Sequence, residues 1–187
     1  QEGTLMKLEL RDYPRIAIFV GLIAALSFVP LINIPGLAPI TAQTLGVMLA
    51  GAVLGSYRGT LAVLIVELLS LAGLHVLASG KVGLEVLTSP YFGYTFGWLI
   101  GAWVIGYVIN TLPKLPLAVS SAIAFVLGGI VAIYVPGILW LSYVTGAPLL
   151  AVTIGNAAYL IGDSIKIVVA VIVLVALKAA YPKALTK

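Results

Sequence analysis

The sequence predicts an all-α integral membrane protein, a bundle of six transmembrane helices with N- and C-termini in the cytoplasm. Three observations lead there. Of 187 residues, 62% are hydrophobic and only 9% charged, where a soluble domain carries about a quarter; the bilayer is the solvent that accepts so little polar surface. The apolar residues form runs near the roughly 20 residues that cross a membrane, broken where Gly, Pro and charge gather. The basic residues, finally, sort by loop.

The first predicted span runs from Pro14 to Leu31 and ends in a turn rich in proline (Pro30, Pro35, Pro39). A second runs from Thr41 to Leu54, followed by the tight connector 55–59. A third covers Thr60 to Leu77, before a polar, Gly-containing loop from Ala78 to Pro90. The fourth covers Tyr91 to Ile109 and the fifth Leu117 to Val135, separated by Pro113-Lys114-Leu115-Pro116. Pro136-Gly137 reads as a break. A short apolar piece, Leu149 to Tyr159, then precedes a last full span from Gly162 to Leu177. Residues 1–5 precede Met6 and read as a remnant of expression, leaving residues 6–187 as one membrane domain, and the first apolar run reads as a span rather than a cleaved leader.

Six spans put both termini on one side. That side holds Lys7, Arg11, Arg15, Arg58, Lys114, Lys178, Lys183 and Lys187, against Lys81 alone opposite; Lys166 lies within a span. Positive loops face the cytoplasm, so the ends and the connectors after the second and fourth spans face in, and the loops after spans one, three and five face out. The same charges favour anionic lipid headgroups and leave no basic stripe for nucleic acid. The expected place is the cell membrane, crossed several times.

With no cysteine and one histidine, His75, the chain has no thiolate nucleophile, disulfide or His-cluster metal site. It has no phosphate-binding glycine loop, zinc-protease helix or nucleophile elbow. Any ATP-driven work therefore needs another chain to bind the ATP. No catalytic, cofactor or metal site is expected.

An ionisable side chain inside a bilayer costs a few kcal/mol, so each is a functional hypothesis. Asp163 and Lys166, spaced i, i+3, share a helical face within pairing distance. Asp163 follows Gly162 at the predicted start of the last span, where a carboxylate also suits the helix dipole. The pair reads either as an ion pair fixing the helix or as the polar wall of an outward cavity. A pair kept for structure alone rarely improves on apolar packing, which favours the cavity. Glu67, in mid-span, reads as a proton or cation site, a ligand contact or an internally bonded carboxyl. His75 reads as an interfacial anchor, and Trp98, Trp103 and Trp140 as packing or belt residues. Tyr91, Phe92, Tyr94 and Trp140 are alternatively the wall of an apolar pocket. Ala17, Gly21 and Ala25 form a small-residue seam that admits another helix, either of this bundle or of a partner.

Four stretches, in order, resemble the biotin-specific S components of energy-coupling-factor vitamin transporters, the BioY family. Ile40-Thr41-Ala42-Gln43-Thr44-Leu45-Gly46-Val47, running on to Gly51, Gly55 and Gly59, is similar to the family's Pro-Val-Thr-x-Gln-Thr-Leu-x-Val helix entry. Gly73-Leu74-His75-Val76-Leu77-Ala78-Ser79-Gly80 resembles a Gly-Leu-Pro-Val-Phe-Ala-Gly-Gly loop. Ser89-Pro90-Tyr91-Phe92-Gly93-Tyr94 resembles Gly-Pro-Thr-Gly-Gly-Tyr. Gly155 through Gly162-Asp163-Ser164-Ile165-Lys166 resembles Gly-x-x-Pro-Phe-x-x-Gly-Asp-x-x-Lys. The resemblance runs from Met6 onward in size, span count and motif order.

The resemblance implies a subunit that captures extracellular biotin and works with a coupling membrane protein and two cytoplasmic ATPases. It implies a biotin pocket of Asp163, Lys166, Tyr94 and the loop residues Ser79, Gly80 and Lys81, with Gln43 at the entry to the second helix. It also associates Ala17, Gly21 and Ala25 with docking to the coupling protein. The chain departs from the pattern at His75, Tyr91-Phe92, Ala158 and Ile161, and Glu67 has no counterpart in it, so another vitamin such as thiamine, riboflavin or lipoate is the alternative ligand. A stand-alone ion-coupled carrier using Glu67 is a further alternative.

Overall fold

The structure, a computed structural model, describes residues 8–30, 32 and 40–185. The expectations for residues 1–5, Met6, Lys7, Leu31, Pro35, Pro39 and Lys187 lie outside the described residues.

Helix α1 (Asp12–Ala25) tightens into a 3-10 turn over Leu26–Phe28. The chain re-enters through an antiparallel bridge between Ile32 and Ile40. Helix α2 (Gln43–Leu71) is helical on both sides of Gly55, which itself has φ 81° and ψ 177°, and the chain reverses there. A Cβ on Gly59 would lie 2.7 Å from the Ala50 carbonyl oxygen and 2.8 Å from Gly51 Cα. In a straight helix, residues nine apart stand about 13 Å apart along the axis. The helix is thus an antiparallel hairpin with arms 43–54 and 56–71, the second and third predicted spans. The predicted connector 55–59 shrinks to Gly55, whose backbone only glycine adopts cheaply.

A loop carrying the short helix α3 (Leu84–Thr88) leads into α4 (Phe92–Thr111). The fifth pass comprises α5 (Leu117–Ala124), a π-helical stretch (Phe125–Val131) and α6 (Ala132–Thr145), continuous from Leu117 to Thr145. The expected break at Pro136-Gly137 does not occur: Pro136 sits inside α6. Membrane helices tolerate proline when local 3-10 or π adjustments re-satisfy the freed backbone groups, and the π stretch lies immediately upstream. Helix α7 (Leu149–Ala180) is likewise one 32-residue helix, not a short piece followed by a span. Gly155 and Gly162 each cost about 1 kcal/mol of helix propensity, less than unpaired main chain costs in hydrocarbon. Asp163 therefore stands fourteen residues past Leu149 rather than at a helix start, and the dipole argument for its position falls.

Six helical passes result, four of the described helices being long and apolar enough to cross a membrane. Helix α4 is central. Its glycines at 93, 97 and 101 let α6 and the π stretch approach: a Cβ at these positions would lie 2.4 Å from the Pro136 oxygen, 2.8 Å from Ile133 Cα and 2.6 Å from the Gly128 oxygen. The seam of Ala17, Gly21 and Ala25 takes no part in this packing. All three are exposed, and a Cβ on Gly21 would meet nothing within 4 Å.

One end of the bundle is basic. Arg58 Nε pairs with Asp12 Oδ2 at 2.9 Å, and Arg15 Nη2 donates to the Lys183 carbonyl at 3.3 Å. These contacts gather the start of α1, the α2 reversal and the C-terminal turn. The loop between α2 and α4, with Lys81, lies at the opposite end.

Two predictions follow from these contacts. A methyl group at Gly106 would lie 2.2 Å from Ser56 N and 2.5 Å from Gly55 C, both backbone atoms. Gly106→Ala is expected to cost about 1–3 kcal/mol by overpacking, read as a lower thermal midpoint in detergent. Gly21→Ala, which meets open space, is expected to hold or raise the midpoint. The second concerns Asp12, which is 1% exposed. The Glu9 N–H donated to Oδ2 at 2.9 Å, with the Arg58 guanidinium, holds its carboxyl below the usual carboxylate range. The folded state thus prefers the ionised form. Its contribution is complete above the unfolded pKa of about 3.9 and is lost as pH falls toward the folded value. The stability gap between wild type and Asp12→Asn is expected to be constant at neutral pH and to close below about pH 4.

Candidate functional site

Opposite the basic end, α2, α4, α6, α7 and the loop after α2 surround a cavity. It encloses about 820 Å3 of space unfilled by protein atoms, its open mouth included. Leu77, Val86, Phe92, Trp98 and Ile133 supply apolar wall.

The polar pole comes from α7. Its inward face carries Val152, Asn156, Tyr159, Asp163, Ala170 and Leu174, all buried, at helical spacing. Lys166 Nζ donates to Asp163 Oδ1 at 2.8 Å and to Thr44 Oγ1 at 2.9 Å. Side-chain exposure is 14% for Lys166 and 8% for Asp163, so water does little to screen the pair. Tyr134 donates its hydroxyl to Asp163 Oδ2. Each carboxylate oxygen keeps a further lone pair, and the ammonium keeps one of its three donors. The pair is therefore electrically closed but still open to hydrogen bonds, a setting for a neutral group with both N–H and C=O.

Beside it stands an aromatic wall. Tyr94 and Tyr134 each meet Tyr159 edge-on, with centroids 6.3 and 6.1 Å apart, inside the favourable range for such pairs. Tyr94 donates to Asn156 Oδ1 at 2.9 Å, and Asn156 Nδ2 donates to the Val152 carbonyl at 2.8 Å. The loop is braced from α6, where Trp140 Nε1 donates to the Ser89 carbonyl at 2.8 Å.

Of the residues predicted from sequence, Asp163, Lys166, Tyr94, Ser79, Lys81 and Gln43 all line this cavity. Gly80 is not in the wall; its φ of +69° makes the turn that presents its neighbours. Gln43 is 1% exposed, and its amide is engaged by main chain: Nε2 donates to Ile23 O (3.0 Å) and Val76 O (2.8 Å), and Oε1 accepts from Ala78 N (2.8 Å). Lys81 Nζ has no ion-pair partner among the described residues. Tyr91 and Phe92 line the cavity, whereas Trp140 braces it from outside. Trp98 belongs to the wall, while Trp103 is exposed and stacks on Tyr107. His75 is exposed in the loop. Glu67 is buried in the second arm of α2 but outside the cavity wall, and its Oε1 has no hydrogen-bond partner among the described residues.

Sequence reading missed Tyr134, Tyr159, Thr44 and Asn156. Tyr159 and Asn156 were within reach, since they lie four and seven residues before Asp163 on the same helical face. Tyr134 and Thr44 come from other helices; Thr44 stands in the family-like stretch beside Gln43, and nothing local marks Tyr134.

The sequence pattern of the BioY family matches residues 3–183. The biotin transporter BioY of Rhodobacter capsulatus is 46% identical over 168 residues, covering 85% of this chain and 88% of its own. That of Rhizobium etli is 43% identical over 178 residues, covering 92% and 95%. A crystal structure of the S-component for biotin from an ECF-type ABC transporter superimposes with a TM-score of 0.86 at 31% identity, covering 91% of this chain and 92% of that one.

The polar pole makes a stability prediction of its own. Lys166→Met leaves Asp163 buried without its cation and is expected to cost on the order of 3 kcal/mol. Adding Asp163→Leu removes the orphaned charge, so the double variant is expected to regain most of that loss. Thermal midpoints of the two single variants and the double variant give the cycle.

Proposed function

The chain belongs to the BioY family, and on that footing we propose that it is the membrane subunit that captures biotin for an ATP-driven importer. The observation that carries this reading is the Asp163–Lys166 pair set in the cavity wall, at the end of the bundle away from the basic cluster. Biotin's ureido ring has two N–H donors and one carbonyl acceptor. Asp163 has lone pairs for the former and Lys166 or Thr44 a donor for the latter. The apolar bicycle then lies among Tyr94, Tyr134, Tyr159 and Trp98. The valerate carboxylate needs a cation not already neutralised, and Lys81, on the loop at the mouth, suits it. Ser79 stands beside it, and Gly80 shapes the turn.

The loop 72–91 is the closing element in this reading. It lines the cavity, has no long helix of its own, and turns at three glycines with positive φ, at 73, 80 and 83. The basic end is cytoplasmic by the charge rule, which places both termini inside the cell and the cavity mouth outside. Residues 6–187 then act as one membrane domain, in the cell membrane and in contact with its lipids. The chain does transport rather than catalysis, with no cofactor. It needs an energising module, for which the family resemblance suggests a coupling membrane protein and two ATPases. The exposed seam of Ala17, Gly21 and Ala25 on α1 is the docking face in this reading, because no helix among the described residues fills it.

Purified protein in lipid nanodiscs is expected to bind biotin saturably at micromolar ligand or below. Asp163→Ala and Lys166→Ala are each expected to weaken binding by at least about tenfold, since each leaves a buried polar partner unmet. Absence of saturable binding in folded wild type, or a larger thermal shift with thiamine, riboflavin or lipoate, overturns the ligand assignment.

A further inference from the structure

Gln43 stands where three parts of the molecule meet. Its Nε2 reaches the carbonyl of Ile23 near the end of α1 and that of Val76 in the closing loop, and its Oε1 holds the Ala78 N–H in the same loop. Ile23 O belongs to the last turn of α1, where carbonyls lack helical partners. Val76 and Ala78 are in non-helical backbone, whose polar groups need partners at membrane depth. Glutamine is suited to all three, having two donors and an acceptor on one planar group. The Gln43 amide is thus the hydrogen-bonded link between α1 and the loop.

The rest of the surroundings separates the two halves of the loop. Its later half is fastened to α2 independently of α1, by Ser70 Oγ donating to the Lys81 carbonyl at 3.0 Å and Gly83 N donating to the Ser70 carbonyl at 2.9 Å. Its earlier half, 76–78, is fastened through Gln43. The end of α1 is also registered tightly on the start of α2: a Cβ on Gly46 would lie 2.9 Å from Ile23 Cγ1 and 3.0 Å from Leu26 Cδ1. A displacement of α1 therefore cannot leave the Gln43 amide undisturbed.

We infer that Gln43 is a positioning residue that couples α1 to the closing loop, so that the helix bearing the exposed small-residue face controls how firmly the loop holds the ligand. This rests on the reading of α1 as the docking helix and of the loop as the closing element. The Nε2 group is shared between the Ile23 and Val76 carbonyls, so a shift of α1 breaks one of the two bonds or pulls the loop with it. Coupling of this kind is reciprocal. A partner that moves α1 loosens the loop, and a ligand that holds the loop shut stiffens the end of α1.

The reciprocity makes the test possible on the isolated chain with biotin as the probe. Hydrogen exchange is followed in nanodiscs with and without saturating biotin, for wild type and for Gln43→Met, which keeps the volume and loses all three bonds. In wild type, biotin is expected to slow exchange both in residues 72–83 and at residues 25–29, which do not line the cavity. In Gln43→Met the slowing at 72–83 is expected to persist and that at 25–29 to vanish, while biotin dissociates about tenfold faster. Gln43→Glu, which keeps the bond from Ala78 N and loses the donations, is the second variant and is expected to uncouple 25–29 in the same way. Protection at 25–29 that survives in both variants, or that is missing from wild type while 72–83 is protected, overturns the coupling. If biotin binds wild type but leaves 72–83 unprotected, the closing role of the loop fails, and the coupling with it.

Discussion

The pair of Asp163 and Lys166 imposes the demand that the rest of the structure meets. Two charged side chains lie mid-way along a 32-residue apolar helix, where water does little to screen them and fixed partners must. Thr44 supplies one from α2 and Tyr134 another from α6. Two helices must therefore converge on α7 at one level, and the cavity is the space left where they converge. A pair serving stability alone is readily replaced by packed hydrocarbon; a pair left with unused hydrogen-bond capacity beside an aromatic wall fits the ligand-holding role proposed above.

Backbone approach makes that convergence possible. Gly93, Gly97 and Gly101 bring α6 and the π stretch against α4 until main-chain atoms leave no room for a Cβ, and Tyr94 and Tyr134 each meet Tyr159 edge-on. The π stretch and the proline-tolerant α6 belong to the same wall: Gly129, Ile133 and Tyr134, from the end of one and the start of the other, all line the cavity. Away from the site, the Gly55 reversal folds α2 back so that its start, at Gln43, lies beside the loop that follows its end. One glutamine can then hold backbone 33 and 35 residues further along the chain.

Much of this was legible in residue order. The bilayer class and the six passes follow from composition and apolar run length, because hydrocarbon admits few backbone solutions. Spacing of i, i+3 was enough to pair Asp163 with Lys166. The limits were also physical. Gly162 and Pro136 read as breaks by rules calibrated in water, where a released backbone group finds a solvent partner; in a membrane it does not, and the helices run through. The small-residue seam shows a second limit. Ala17-Gly21-Ala25 and Gly93-Gly97-Gly101 have the same period, yet the first faces outward and the second is buried in the centre of the bundle. Period alone gives a face and not what covers it.

The sequence by itself determined the solvent, the number of passes, the segregation of basic residues and the identity of the two charges in the wall, since each depends on local composition or on spacing along one helix. Only the tertiary structure decided that Tyr134 and Thr44 complete the polar pole, that Glu67 stays out of the cavity, and that Gln43 binds backbone rather than standing free. Those contacts join residues 20 to 122 positions apart, and they exist only because particular helices meet at particular heights. Hydrogen bonds of that kind are short-ranged and directional, so no pattern along the chain encodes them until the bundle is assembled.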